Sequence, residues 1–144
     1  MAFDELDSLL LSAECLRQSG SILEANLILL QVLEANPCNP EAFFWLSNQL
    51  DLSKEESLAQ KLELCYEGTS SNVTNQYSYL CYALAKLRQD QYRYSDAFNL
   101  YDQANKCRQS ELNLFRTDYN IYIGQSRLHR DLFAPLSKIP NYVL

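Results

Sequence analysis

The sequence predicts an all-α fold of about three helix pairs followed by a C-terminal capping helix, and three observations carry that prediction. Only three Gly and four Pro occur in 144 residues, too little turn chemistry for the many hairpins of an all-β fold. With 47% apolar and 12% aromatic residues, the chain can bury a core and is not a disordered segment. Finally, residues 78–111 read as one complete helix-turn-helix unit, and a related pattern recurs upstream at a spacing of 34 residues.

The stretch SYLCYALAKLRQDQYRYSDAFNLYDQANKCRQSE, residues 78–111, places Ala85 ahead of Ala97 and Ala104 and intersperses Cys81, Leu84, Tyr94 and Tyr101. It resembles a tetratricopeptide repeat. In that family a small residue at the eighth position of the first helix sits against small residues at the twentieth and twenty-seventh positions of the second, which lets the two backbones approach closely. Apolar or aromatic residues fill the fourth, seventh, seventeenth and twenty-fourth positions. The resemblance implies a right-handed α-α superhelix.

The same grammar is met earlier in the chain. In residues 6–39 it falls on Leu9, Ser12, Ala13, Leu16, Ala25, Leu29 and Val32, with Pro37 near the end of the second helix. Ser21 and Glu24 form a capping box that starts that helix near residue 22. In residues 40–73 the corresponding residues are Phe43, Leu46, Ser47, Leu50 and Ala59, with Asn39 as N-cap, Pro40 at the first helical position and a second capping box from Ser53 to Glu56. Glu63 and Tyr66 stand where an aromatic and a small residue belong, so this helix is expected to pack less closely or to be rotated. About four extra residues lie within EGTSSNVTNQ before the third repeat. Ser110 is then expected to cap a separate helix over about 111–132, covering the last face of residues 1–134, with Gly124 interrupting it. Pro135 and Pro140 end regular structure, leaving 135–144 as a tail.

Chemistry is not expected. The single histidine, His129, has no nucleophile motif near it, no GxxxxGK[ST] or GxGxxG stretch is present, and Asp4, Glu5 and Asp7 lack the spacing of a calcium loop. A non-enzyme without cofactor or metal is the reading. Cys15, Cys38, Cys65, Cys81 and Cys107 are an odd number at wide intervals without a CxxC pair, which points to reduced, buried thiols. The acidic N-terminus and the lack of any bilayer-length apolar run predict a soluble cytoplasmic protein, so the Asn72-Val73-Thr74 acceptor triplet is set aside.

Net charge is −6, but residues 1–72 hold twelve acidic and three basic side chains while residues 73–144 hold six and nine. An anion-facing C-terminal half, head-to-tail self-association and an ordinary solvated surface all remain open.

The resemblance also implies a site. In such repeats the second, fifth, ninth and twelfth positions of each first helix face a concave groove: Asp7, Leu10, Glu14 and Arg17, then Glu41, Phe44, Asn48 and Asp51, then Tyr79, Tyr82, Lys86 and Gln89. Leu10, Glu14, Phe44, Asn48, Tyr79, Tyr82 and Lys86 are the candidate partner-binding residues, for a protein or peptide rather than nucleic acid or membrane. Packing of Phe44 and Tyr82 against the same molecule is the competing reading. The carboxylate clamp of chaperone-binding repeats is matched only at Asn48; Leu10, Glu14, Tyr79 and Ala83 replace its other members, and a carboxylate would meet Glu14 and Glu41.

An alternative comes from residues 83–108, which look like the repeat that precedes the catalytic part of tetratricopeptide-containing sulfotransferases. The match rests on Ala83, Leu84, Ala85, Lys86, Tyr94, Asp96, Ala97, Phe98, Tyr101, Ala104, Asn105 and Arg108. That family's Gly/Arg/Ser-rich donor loop has no counterpart in this sequence. The likeness therefore implies at most an accessory part or a truncated relative, and it transfers no catalytic residue.

Overall fold

The computed structural model describes the backbone of residues 3–69 and 74–132, with side chains over 4–69 and 76–113. The tail from 135, the side chain of His129 and most of the Asn72-Val73-Thr74 triplet lie outside the described residues. Within them the chain is all-helical: α1 (Phe3–Gln18), α2 (Ile22–Ala35), α3 (Pro40–Gln49), a 3-10 turn (Leu52–Lys54), α4 (Glu56–Gly68), α5 (Thr74–Asp90) and α6 (Tyr94–Leu132). The chain divides into two compact units, Met1–Arg108 and Gln109–Leu144.

Helix boundaries follow local chemistry. The Asn39 side chain accepts a hydrogen bond from the Ala42 N–H at 3.0 Å, and Pro40 opens α3 where its missing N–H costs nothing. Ser21 occupies the N-cap position of α2, but its side chain makes no capping bond; the Ser21 N–H instead donates to the Leu16 carbonyl. That bond belongs to a turn which the chain uses twice. Gly20 N–H to Arg17 O and Ser21 N–H to Leu16 O close α1; Tyr92 N–H to Gln89 O and Arg93 N–H to Arg88 O close α5 in the same pattern. Both are Schellman closures, and both place one residue at positive φ, Gly20 at 89° and Tyr92 at 62°.

The middle pair departs from this. Six residues separate α3 from α4, and Ser53 caps nothing: it lies in the 3-10 turn, where its backbone N–H donates to Asp51 Oδ1 at 3.0 Å. Glu55 is the N-cap residue of α4 and makes no side-chain bond. The turn matters because Leu52 within it is buried and leads the chain toward α5.

Neighbouring helices pack as α1 on α2, α2 on α3, α3 on α5 and α4 on α5. The core between them holds Leu29, Val32, Phe43, Leu46, Leu62, Leu80 and Leu87, all at 1% exposure or less. Several of the small residues are buried. Ala13, Ala25, Ala85, Ala97 and Ala104 are buried, whereas Ala59 and Tyr66 on α4 are only partly so. Glu63, on the same helix, reaches Arg88 Nη1 at 2.6 Å, so a charge pair stands where apolar packing was expected.

Several sequence expectations are corrected. Tyr94 does not fill an apolar position but is 62% exposed, and Ser12 is exposed too. No break occurs at Ser110, because α6 runs on from Tyr94 to Leu132. A lone Ser is a weak start signal, and nothing between 94 and 123 is a Gly or Pro that would first stop the helix. The cysteines are not all reduced and buried: Cys38 and Cys65 form a disulfide with Cα atoms 5.4 Å apart, and Cys15 is exposed. The turn between α2 and α3 brings Cys38 onto α4, a tertiary pairing across 27 residues that cysteine spacing does not announce.

Candidate functional site

An aromatic band crosses α3, α5 and α6, with an arginine of α1 at one end. Trp45 lies under the Arg17 guanidinium, 3.7 Å from its ring centroid, a cation–π contact that fixes the α1 end. Phe44 meets Trp45 edge-on at 4.9 Å and reaches across to α5, where Tyr79 and Tyr82 stand 5.2 and 5.9 Å away. Tyr82 continues to Tyr101 of α6 at 6.4 Å. The successive offsets come from helix periodicity: Tyr79 and Tyr82 are three residues apart, so both rings face the same neighbour.

The rings are half-buried and their polar ends are held. Tyr82 Oη donates to Asn105 Oδ1 at 2.7 Å, and Tyr101 Oη donates to Gln89 Oε1 at 2.9 Å. Burial raises the Tyr101 pKa, with the Asp90 carboxylate adding to the effect, so this phenol stays neutral and acts only as a donor and a surface. Such a band offers flat apolar area with fixed hydrogen-bonding edges.

Beside it opens a cavity of about 570 Å³, lined among others by Asp7 and Leu10 of α1, Glu41 of α3, Tyr79 of α5 and Arg108 of α6. Of the residues expected to face a groove, Asp7, Leu10, Glu41 and Tyr79 meet at this cavity, and Phe44, Tyr79 and Tyr82 form one aromatic cluster. The others are placed apart. Glu14 accepts from Gln18 Nε2 at 3.2 Å and lines a separate narrow cleft with Arg17 and Trp45. Asn48 is exposed, but its Nδ2 donates to the Phe44 carbonyl of its own helix at 2.9 Å. Lys86 pairs with Asp90 one turn on.

Sequence reasoning missed Trp45 and Asn105. The signal for Trp45 was there, since it is the one tryptophan of the chain and adjoins Phe44. Asn105 carried none, because its role depends on meeting Tyr82 of α5, 23 residues away in the chain.

A second polar cluster sits where α4, α5 and α6 meet. Tyr66 and Tyr77 stack at 5.8 Å with their hydroxyls 3.4 Å apart, and both hydroxyls lie within hydrogen-bonding reach of Gln103 Oε1, at 3.2 and 3.4 Å. The hydrogen bond with Tyr66, then burial, raises the Tyr77 pKa; burial pushes the nearby Cys81 thiol up to about 11, against the opposing hydrogen bond from Tyr77. A thiol held protonated is a poor nucleophile and a poor metal ligand. Among the described residues no group of three or more His, Cys, Asp or Glu side chains could hold a metal, and no helix is long and apolar enough to cross a membrane. No family model matches the chain, nor does any curated protein or solved structure.

Proposed function

We propose that the chain is a tetratricopeptide-like, non-catalytic interaction module of the cytoplasm that binds a segment of another protein along the face built by α1, α3 and α5. The observation that carries this reading is the aromatic band Trp45, Phe44, Tyr79, Tyr82 and Tyr101 running beside an open cavity. Aromatic rings fixed by neighbours lose little entropy on binding, and a few such anchors dominate interface energy. A peptide main chain has polar edges close at hand in Asn105 and Gln89, and side-chain room in the cavity.

The test is substitution of anchors. Phe44→Ala with Tyr82→Ala should weaken capture of a partner recovered from the native source by about tenfold or more. A partner that still binds this double variant at full strength, and is lost instead when salt is raised, would refute the reading. It would move the contact to the basic residues beyond the described side chains, Arg116, Arg127 and Arg130.

A further inference from the structure

We propose that the occupant of this face is a basic peptide segment, one that sets an apolar or aromatic side chain on the Phe44, Tyr79 and Tyr82 rings and a Lys or Arg into the cavity mouth beside Asp7 and Glu41. The inference rests on the functional reading above and adds the charge of the ligand to it. Three features carry it.

The cavity places two carboxylates, Asp7 from α1 and Glu41 from α3, on walls that also include the Tyr79 ring. Carboxylates next to an aromatic face suit an alkylammonium or guanidinium, which gains from both the charge and the ring quadrupole. Among the described residues the ion pairs are Asp51 with Lys54, Asp90 with Lys86, Glu63 with Arg88, Asp96 with Arg93 and Asp102 with Lys106. Asp7, Glu14 and Glu41 take part in none of them.

Two cations on the same face are committed elsewhere. Arg17 lies on Trp45 and Lys86 is paired with Asp90, which leaves Arg108 as the basic residue among the two carboxylates of the cavity lining. An acidic ligand in the cavity would therefore meet Asp7 and Glu41 with only Arg108 of the lining to offset them.

The unit as a whole is acidic. Residues 1–108 hold fifteen acidic and eight basic side chains, a net of −7, so the field around the groove draws a basic segment in and repels an acidic one.

The experiment uses the full chain and fluorescent twelve-residue peptides, each with one Phe and one Leu at fixed positions and two variable positions that are both Lys, both Gln or both Glu. Anisotropy is read at low and at high salt. The Lys peptides should bind about tenfold or more tightly than the Glu peptides, and raising salt should shrink that gap. The double variant Asp7→Asn, Glu41→Gln preserves side-chain shape; with an unchanged melting temperature, it should lose the Lys preference and keep the affinity for the Gln peptides. Phe44→Ala with Tyr82→Ala should lower binding of all three classes. Equal binding of Lys and Glu peptides, or a Lys preference that survives the double carboxylate variant, overturns the basic-ligand proposal while leaving the groove reading standing. Binding that ignores the aromatic substitutions, or no binding by any class, overturns both. Self-association that the carboxylate variant abolishes would make a second copy the occupant, and it too overturns the proposal.

Discussion

The turns that close α1 and α5 have the same hydrogen-bond pattern, but one has Gly20 at its positive-φ position and the other has Tyr92. A side chain at left-handed φ costs about 1–2 kcal/mol from the crowding of Cβ against the carbonyl. Glycine avoids that cost but loses about 0.5–1 kcal/mol more chain entropy on folding. Tyr92→Gly should therefore stabilise by about 0.5–1 kcal/mol. The tyrosine side chain gives little back, being 79% exposed with one edge contact to Tyr94 at 6.3 Å. Gly20→Ala should destabilise by a similar amount for the same reason alone, since a Cβ there would meet nothing within 4 Å. In thermal melts these changes correspond to shifts of a few degrees in opposite directions. Tyr92→Ala is the control that separates backbone from side chain: it removes the ring but keeps the strain, so it should be less stable than Tyr92→Gly by about 1 kcal/mol. Equal stability of Tyr92→Gly and Tyr92→Ala would refute the argument, because it would mean that position 92 does not require left-handed backbone.

Three further outcomes are expected. Ala97→Leu or Ala104→Leu should destabilise by about 1–3 kcal/mol through overpacking at sites 3% exposed or less, whereas enlarging the exposed Ser95 should change the melt little. Breaking the Cys38–Cys65 disulfide with a dithiol, or by Cys38→Ser, should lower stability by about 3.5 kcal/mol on the chain-entropy account of a loop this long; a melt indifferent to reductant would show that the bond does not form in solution. Cys81, Tyr77 and Tyr101 all have folded pKa values above their ordinary ones, so each contributes stability that is complete below the unfolded pKa and is lost as pH rises through the folded one. For Cys81 that window runs from about 9 to about 11, and the melting temperature should fall across it, less steeply in Cys81→Ala.

What could be read from the sequence was whatever depends on local periodicity and on residue size. The burial of Ala13, Ala25, Ala85, Ala97 and Ala104 and the Asn39-Pro40 start of α3 follow from side-chain volume or from capping chemistry within a few residues. What could not be read involves partners far apart in the chain. Glu63 looked like a misfit until Arg88, 25 residues on, accounted for it. Cys38 had no sequence mark to join it to Cys65. Tyr94 fits an apolar pattern by residue type, yet periodicity alone does not tell which helical face another element covers. Of the residues picked out by repeat position, Phe44, Tyr79 and Tyr82 come together as one aromatic cluster, but hydrogen bonds were not legible: Asn48 and Lys86 read as free recognition groups, and their own helices occupy them.

The Cys38–Cys65 bond has a mechanical consequence. If the unit is stretched from its ends, force passes across the disulfide and bypasses the residues between the two cysteines, which include all of α3 and most of α4. A 27-residue separation stores on the order of 90 Å of contour length, at roughly 3.3–3.6 Å per residue, that tension cannot release. Phe44 and Glu41 lie inside that shielded loop, while Leu10 and Tyr79 lie outside it, on helices that feel the full load. Under tension the two sides of the groove would part along a line fixed by one covalent bond, with a step in the extension trace that lengthens by that amount once a reductant is added.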